Sequence, residues 1–208
     1  GTVLSTQIKN EETTPSLFTN HDIRFNIYNN GKLVTADGAP VRQADQKASN
    51  GVIHVLGKVM FPIPEGSVVD LVAKEKMLST LLKAVQAANL TEALKGGPFT
   101  LFAPNDEAFG RLPEGALDKL LANKTALTDV LTYHVVKGTV YSEGLTNGEA
   151  VTTLEGKQLH IRKEGKGPEG RIRVNNAEVE HGDVSVTNGV VHVINNVLLP
   201  DAPHPPHF

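Results

Sequence analysis

Between Ser67 and Lys137 apolar residues recur at helical spacing, whereas from Val140 to Pro200 they alternate with polar ones in short runs. Met77, Leu78, Leu81, Leu82, Val85 and Ala88 fall on one face of a 3.6-residue helix. Ser67, followed three residues later by Asp70, resembles a capping box and predicts where a short first helix starts. Thr91 is the expected N-cap of a turn that Gly96-Gly97 ends. Phe99 to Ala103 is a compact apolar run stopped by Pro104, which predicts a buried strand. Asn105 should cap the next helix, placing Asp106 and Glu107 in a first turn where negative charge meets the positive end of the helix dipole. Leu117, Leu120 and Leu121, then Leu127, Val130, Leu131 and Tyr133, continue the helical spacing with Thr125 as the expected cap.

Beyond Val140 the runs LHIRK, RIRV and VVHVINNVLL are separated by Asn147-Gly148, Gly156, the Gly165 to Gly170 stretch, Asn175-Asn176 and Asn188-Gly189, the punctuation of hairpins. The start of the chain reads the same way, with DIRFNIYN, Asn30-Gly31, KLVTA and VIHVLGKVMF. Helices followed by a meander of strands predict an α+β unit, with helices gathered against one side of the sheets.

The two β stretches are copies of one another. NGVIHVLGKVMFP (Asn50 to Pro62) lies on NGVVHVINNVLLP (Asn188 to Pro200), 138 residues apart, with Ala39 on Ala177, Val41 on Val179, Asp45 on Asp183 and His54 on His192. Further back the spacing is 137, setting Gly1-Thr2-Val3 on Gly138-Thr139-Val140, Ser5 on Ser142 and Leu17 on Leu154. Residues 1–64 therefore repeat only the second half of a unit whose whole copy runs over 65–200, with 201–208 as a tail. The chain reads as one and a half units, a piece of a longer tandem protein. The apolar face of residues 1–64 is expected to be covered by an upstream half or a partner chain, or to stand exposed.

Three motifs in order, Thr100 to Phe109 (TLFAPNDEAF), Tyr133-His134 in LTYHVV, and Asn188 to Pro200 with its copy at Asn50 to Pro62, resemble the fasciclin domain family across the whole chain. The phrases FNIYNNGK and ADGAPV are most similar to the family's tandem-domain animal adhesion members. The resemblance implies a fasciclin-like fold, a β-sheet wedge with helices packed on one side, preceded here by the β half of another copy. It also implies an extracellular adhesion or matrix module, secreted or on the outer face of the membrane, that contacts cell-surface receptors or matrix proteins and carries out no catalysis.

Composition narrows the chemistry without choosing a ligand. A hydrophobic fraction of 39% supports a buried core, and a formal charge of −3 gives no general cationic surface for nucleic acid. With no Cys there are no disulfides, thiolate metal sites or Cys nucleophile, and no apolar run approaches a membrane span. Neither a G-x-S-x-G elbow nor an H-E-x-x-H pair occurs, so no enzyme is expected and no cofactor is implied. His54 and His192 lie inside apolar strands, where a hydrogen-bonded structural imidazole is expected. His204 and His207 in the Pro-rich tail, and the glycines from 165 to 170, lack the surroundings of a metal site or a phosphate loop.

Adhesion members of the family engage integrins through an Asp-Ile pair ahead of the second motif and through the Tyr-His region. The matching residues here are Asp183, Val184, Tyr133 and His134, and in the first copy Asp45-Gln46, which loses the apolar partner. An exposed Asp can complete a divalent-cation site, whereas an Asp ahead of a β-turn commonly bonds to its own backbone. Tyr133 and His134 end a helix, so packing and hydrogen bonding to the neighbouring β half compete with recognition. Asn89-Leu90-Thr91 and Asn123-Lys124-Thr125 satisfy the glycosylation pattern at helix junctions, although both threonines are also candidate caps. The alternative function is carriage of a small apolar ligand such as a carotenoid, in a groove among Met77, Leu81, Phe99, Leu101 and Phe109.

Overall fold

Hairpin chemistry at Asp37-Gly38, where both residues take positive φ, turns one strand back on the next, and it recurs along a five-stranded antiparallel sheet. In the computed structural model, which describes residues 1–18, 20–165 and 170–201, this sheet runs in chain order: β1 (Thr13–Pro15), β2 (Asp22–Tyr28), β3 (Leu33–Ala36), β4 (Ala39–Ala48) and β5 (Gly51–Leu56). Helices α1 (Val68–Lys74) and α2 (Ser79–Ala87) follow, then β6 (Phe99–Pro104), α3 (Asp106–Gly110), α4 (Ala116–Ala122) and α5 (Lys124–Tyr133). The remaining strands are β7 (Val135–Lys137), β8 (Ala150–Thr152), β9 (Gln158–Glu164), β10 (Arg171–Val174), β11 (Ala177–Val186) and β12 (Gly189–Ile194). The second sheet has the order β7-β6-β12-β11-β10-β9-β8, with β6 and β12 parallel and the other pairs antiparallel.

A bridge between Val136 and Thr153, with the Leu154 N–H donating to the Val135 carbonyl at 2.8 Å, joins β8 back to β7. The sheet thereby curls upon itself and has two packed sides. Its inner side holds Phe102, Tyr133, Leu159, Ile161, Val174, Ile194 and Leu198. Its outer side carries the helices, with Leu78, Leu81, Val85, Leu127 and Val130 packed on Leu101, Ala103, Val191 and Val193. Period-two alternation in β6 and β12 thus feeds two cores at once.

Every cross-strand pair of β4 and β5 recurs 138 residues later in β11 and β12, from Val41–Leu56 and Val179–Ile194 to Ala48–Gly51 and Val186–Gly189, including two register irregularities. Equal local geometry meets unequal cover. Val191 and Val193 are 0% and 5% exposed, whereas Ile53 and Val55, at the same places in β5, are 59% and 42% exposed. The described helices pack on Val191 and Val193, while Ile53 and Val55 face solvent in this chain.

The five-stranded sheet docks on the whole unit through buried polar contacts. The Arg24 guanidinium donates to the carbonyls of Val186, Thr187 and Gly189 at the turn into β12. Tyr28 donates to the Thr139 carbonyl at 2.9 Å and accepts the Tyr141 N–H. Two glycines face the two tyrosines reciprocally: a Cβ on Gly38 would lie 2.5 Å from the Tyr141 ring, and one on Gly144 would lie 2.6 Å from Tyr28.

Caps agree with sequence at Ser67, which takes the Asp70 N–H, and at Asn105, which takes the Ala108 N–H at 2.8 Å. Two differ. Asn123, not Thr125, caps α5 by accepting the Ala126 N–H, because the extended backbone at Asn123 puts its amide ahead of the first turn. Thr91 caps nothing; a 3-10 turn over Ala93–Lys95 begins after Glu92. Met77 also leaves the predicted buried face, since α2 starts only at Ser79, and its side chain is 41% exposed. His204, His207 and most of the stretch from 165 to 170 lie outside the described residues.

Candidate functional site

A bulge in β11 between His181 and Val184 turns the chain through Asp183 at φ 60°, a left-handed conformation that Asp tolerates. The turn aims the carboxylate inward. It accepts the Ser142 N–H and hydroxyl, each at 2.6 Å, and meets the Lys58 ammonium at 3.2 Å across the junction with the first sheet. The Asp183 N–H donates to Nδ1 of His192 at 3.2 Å, and Nε2 of the same ring donates to the Val140 carbonyl at 2.8 Å. This wiring needs a neutral imidazole with its proton on Nε2. Burial pushes the Asp183 carboxyl up, but the Ser142 N–H and hydroxyl and the Lys58 ammonium act against it, and the net shift is downward. Burial holds His192 below the ordinary histidine range.

The same latch exists in the first copy. Asp45, at φ 56°, accepts the Ser5 N–H and hydroxyl, and its own N–H meets Nδ1 of His54, whose Nε2 donates to the Val3 carbonyl at 2.9 Å. Ser5, Asp45 and His54 fall on Ser142, Asp183 and His192 in the sequence repeat. A group present twice in one chain, bonding a bulge to the strand before it, is a structural device of the unit.

Tyr133 and His134 lie at the end of α5 in the inner core, 0% and 1% exposed. The Tyr133 hydroxyl donates to the Gln158 carbonyl at 3.0 Å and accepts from the Asn175 amide at 2.9 Å. His134 donates through Nδ1 to the Val130 carbonyl at 2.7 Å and accepts the Leu198 N–H at Nε2, so it too is neutral. Complete burial pushes its pKa down to about 4. Phe102, which sequence did not single out, connects the two groups: its ring stacks on His192 with centroids 5.5 Å apart, and its N–H donates to the His134 carbonyl. Val184 is half-buried against the helix-side core. Asp183 and Val184 thus reach the surface only in part, and Tyr133 and His134 do not reach it.

Other candidates separate by exposure. Asn89 and Asn123 are both exposed, and the cap at Asn123 uses Oδ1, leaving Nδ2 available. Leu81, Leu101 and Phe109 are packed in the helix-side core, while Phe99 is half-buried and Met77 faces solvent. An apolar cavity of about 440 Å³ lies instead on the first sheet, between Ile23, Phe25, Ala36, Val41, Leu56 and Met60. Among the described residues no group of three or more His, Asp or Glu is arranged to hold a metal ion, and no helix is long and apolar enough to cross a membrane.

Comparison with known proteins follows this geometry closely. A fasciclin domain model matches residues 1–62 and 76–200, omitting the first helix of the whole unit. The chain belongs to the fasciclin domain family. As a fasciclin chain it is 36% identical to human periostin and 34% identical to the pig transforming growth factor-beta-induced protein ig-h3, in each case over 202 residues and 96% of its length. It spans only 23% and 29% of those two relatives. Protein sll1483 of Synechocystis is 43% identical over 137 residues, 64% of this chain and 73% of that protein. The solved fasciclin domain pair from the insect cell adhesion molecule fasciclin I shares the fold, with a TM-score of 0.55 at 24% identity over 90% of this chain and 71% of that one. The fasciclin fold, α+β with helices on one side of a curled sheet, is therefore shown.

Proposed function

We propose that this chain is a module of an extracellular adhesion or matrix protein and acts by binding other proteins rather than by catalysis. One observation carries the reading: likeness to periostin and to the growth-factor-induced protein runs without a break over both the half unit and the whole one. This continuity supports a tandem arrangement divided at about residue 64 over a single isolated domain. The fasciclin I pair comes from a molecule described as a cell adhesion molecule, which supports the same direction. Both buried histidines of the whole unit are neutral and bonded on both nitrogens, an arrangement of structural imidazoles.

Within this reading Asp183, Val184, Tyr133 and His134 serve binding by holding the surface in shape. An integrin-type receptor reaching Asp183 as a metal ligand would have to draw it away from Ser142 and Lys58. Secretion would expose Asn89 and Asn123 to glycosylation. Cell attachment to surfaces coated with the purified chain tests the reading. Saturable attachment is expected, retained by Asp183→Asn, which keeps the shape, and reduced by Asp183→Ala in step with lost stability. Absence of attachment together with no partner in a matrix pull-down refutes the binding function. Loss with a fully stable Asp183→Asn instead makes the carboxylate a direct contact.

A further inference from the structure

Asn is followed by Gly at four places, Asn30-Gly31, Asn50-Gly51, Asn147-Gly148 and Asn188-Gly189, and the structure holds these pairs unequally. The Asn188 side chain is used at both ends: Oδ1 accepts the Val68 N–H at 2.8 Å, Nδ2 donates to the carbonyls of Leu94 and Gly96, and Gly189 lies so close to the Phe99 carbonyl that no Cβ fits there. Asn147 accepts the Lys163 N–H at 2.8 Å through Oδ1, and the Gly148 N–H donates to the Ile161 carbonyl at 2.9 Å. Gly51 pairs with Ala48 as a rung of the β4–β5 ladder. Asn30 differs from all three. It stands in the exposed loop between β2 and β3, beyond the rung at Tyr28–Leu33. Asn29, Asn30 and Gly31 take positive φ in succession, 53°, 55° and 86°. The Asn30 amide makes no hydrogen bond among the described residues, and a Cβ on Gly31 would meet nothing within 4 Å. The neck of the loop is closed by a long bond, 3.3 Å, from the Lys32 N–H to the Asn29 carbonyl.

We propose that Asn30 is a site of spontaneous deamidation, where water converts the amide to aspartate and isoaspartate. The backbone nitrogen of Gly31 loses its proton and attacks Cγ of Asn30. The new N–Cγ bond closes a succinimide ring while the Cγ–Nδ2 bond breaks, and ammonia leaves carrying that proton. Water then opens the ring. Opening at Cγ restores the main chain with an aspartate, and opening at the main-chain carbonyl leaves isoaspartate, whose chain runs through Cβ. The reaction consumes one water, releases one ammonia and moves no electrons to or from a co-reactant. Ring closure requires rotation about ψ of Asn30, now 44°, with the side chain free to turn toward Gly31. Glycine at the next position puts no Cβ in the way, and an exposed loop tip opens locally at little free-energy cost. At Asn147 and Asn188 the bonds that hold the side chain must break first. The loop also adjoins the junction between the two sheets: Asn29 accepts the Thr146 hydroxyl at 3.5 Å, and Tyr28, at the base of the loop, bonds to Thr139 and Tyr141. Isoaspartate adds a charge and a main-chain carbon there, and so loosens that junction. The inference is independent of the attachment reading.

Incubating the purified full chain in heavy-oxygen water at mildly alkaline pH tests it, because each conversion incorporates solvent oxygen that site-resolved peptide mapping can count. Conversion at Asn30 is expected to run at least tenfold faster than at Asn147 or Asn188 and to yield both products. In denaturant the four rates should fall within about threefold of one another, since the structure alone sets their order. The amides of Thr139 and Tyr141 should exchange at least threefold faster in the isoaspartyl fraction than in fresh protein. Equal native rates at Asn30 and Asn188, or faster conversion at Asn50, overturn the choice of site. The same spread of rates in denaturant overturns the structural cause, and unchanged exchange at Thr139 and Tyr141 overturns the link to the junction.

Discussion

His134 and His192 are buried without charge, and each spends both ring nitrogens on backbone groups. For His134 the folded value of about 4 lies below the unfolded 6.5. As pH falls through 6.5 the unfolded chain binds a proton that the folded chain refuses, so stability is lost between about 6.5 and 4 and levels off below. The depression corresponds to about 3 kcal/mol, and the downward shift of His192 acts in the same direction. The Asp183 carboxyl, held below its ordinary value, contributes stability that is lost only at still lower pH. Urea midpoints should therefore fall steeply between pH 6.5 and 4.5; a flat profile there contradicts neutral burial. Sequence already paired Ser5, Asp45 and His54 with Ser142, Asp183 and His192, because the repeat preserves residue identity. It did not show that the three bond to one another, since the bulge that turns Asp183 inward is a property of strand register. Phe102 was hidden for a related reason: it reads as one more apolar residue in FTLFA.

At the scale of elements, caps were legible where the polar residue and the start of the helix are adjacent, as at Ser67 and Asn105. They were misread where two candidates compete, as with Asn123 and Thr125. They were not legible at α2, whose start is held by Asp106 from another helix: it accepts the Thr80 N–H and the Ser79 hydroxyl, both at 2.8 Å. That contact exists only once β6 has brought α3 beside α2. The cap assignment separates two substitutions that both abolish glycosylation at Asn123. Thr125→Ala should remove the glycan from a secreted preparation without lowering the melting temperature of the enzymatically deglycosylated protein. Asn123→Ala should remove the glycan and also cost about 1 kcal/mol, the usual worth of an N-cap. Intact mass and thermal melts of the two variants check this, and equal stability would return the cap to Thr125.

At the scale of the molecule, the half unit is held to the whole one by contacts that no local pattern encodes, because Arg24 and its carbonyl acceptors are more than 160 residues apart. Gly38 combines φ 77° with a Tyr141 ring in the place of any Cβ. Gly38→Ala should therefore destabilise by about 2 kcal/mol or more, through the strained turn and the displaced ring. Lys119→Ala, at an exposed position of α4, serves as a mild comparison, and a denaturant titration showing equal effects would remove the interlock. The repeat made the shared strand pattern of the two β stretches readable, residue for residue. The docking geometry was not readable from either copy alone. The central claim is that two copies of one β motif share their wiring and differ in closure. Native-state hydrogen exchange at single-residue resolution tests it most directly. The account predicts that amides of Val191 to Ile194 exchange only through global unfolding, and that amides of Ile53 to Leu56 exchange at least about a hundredfold faster. Equal protection of the two strands would contradict it.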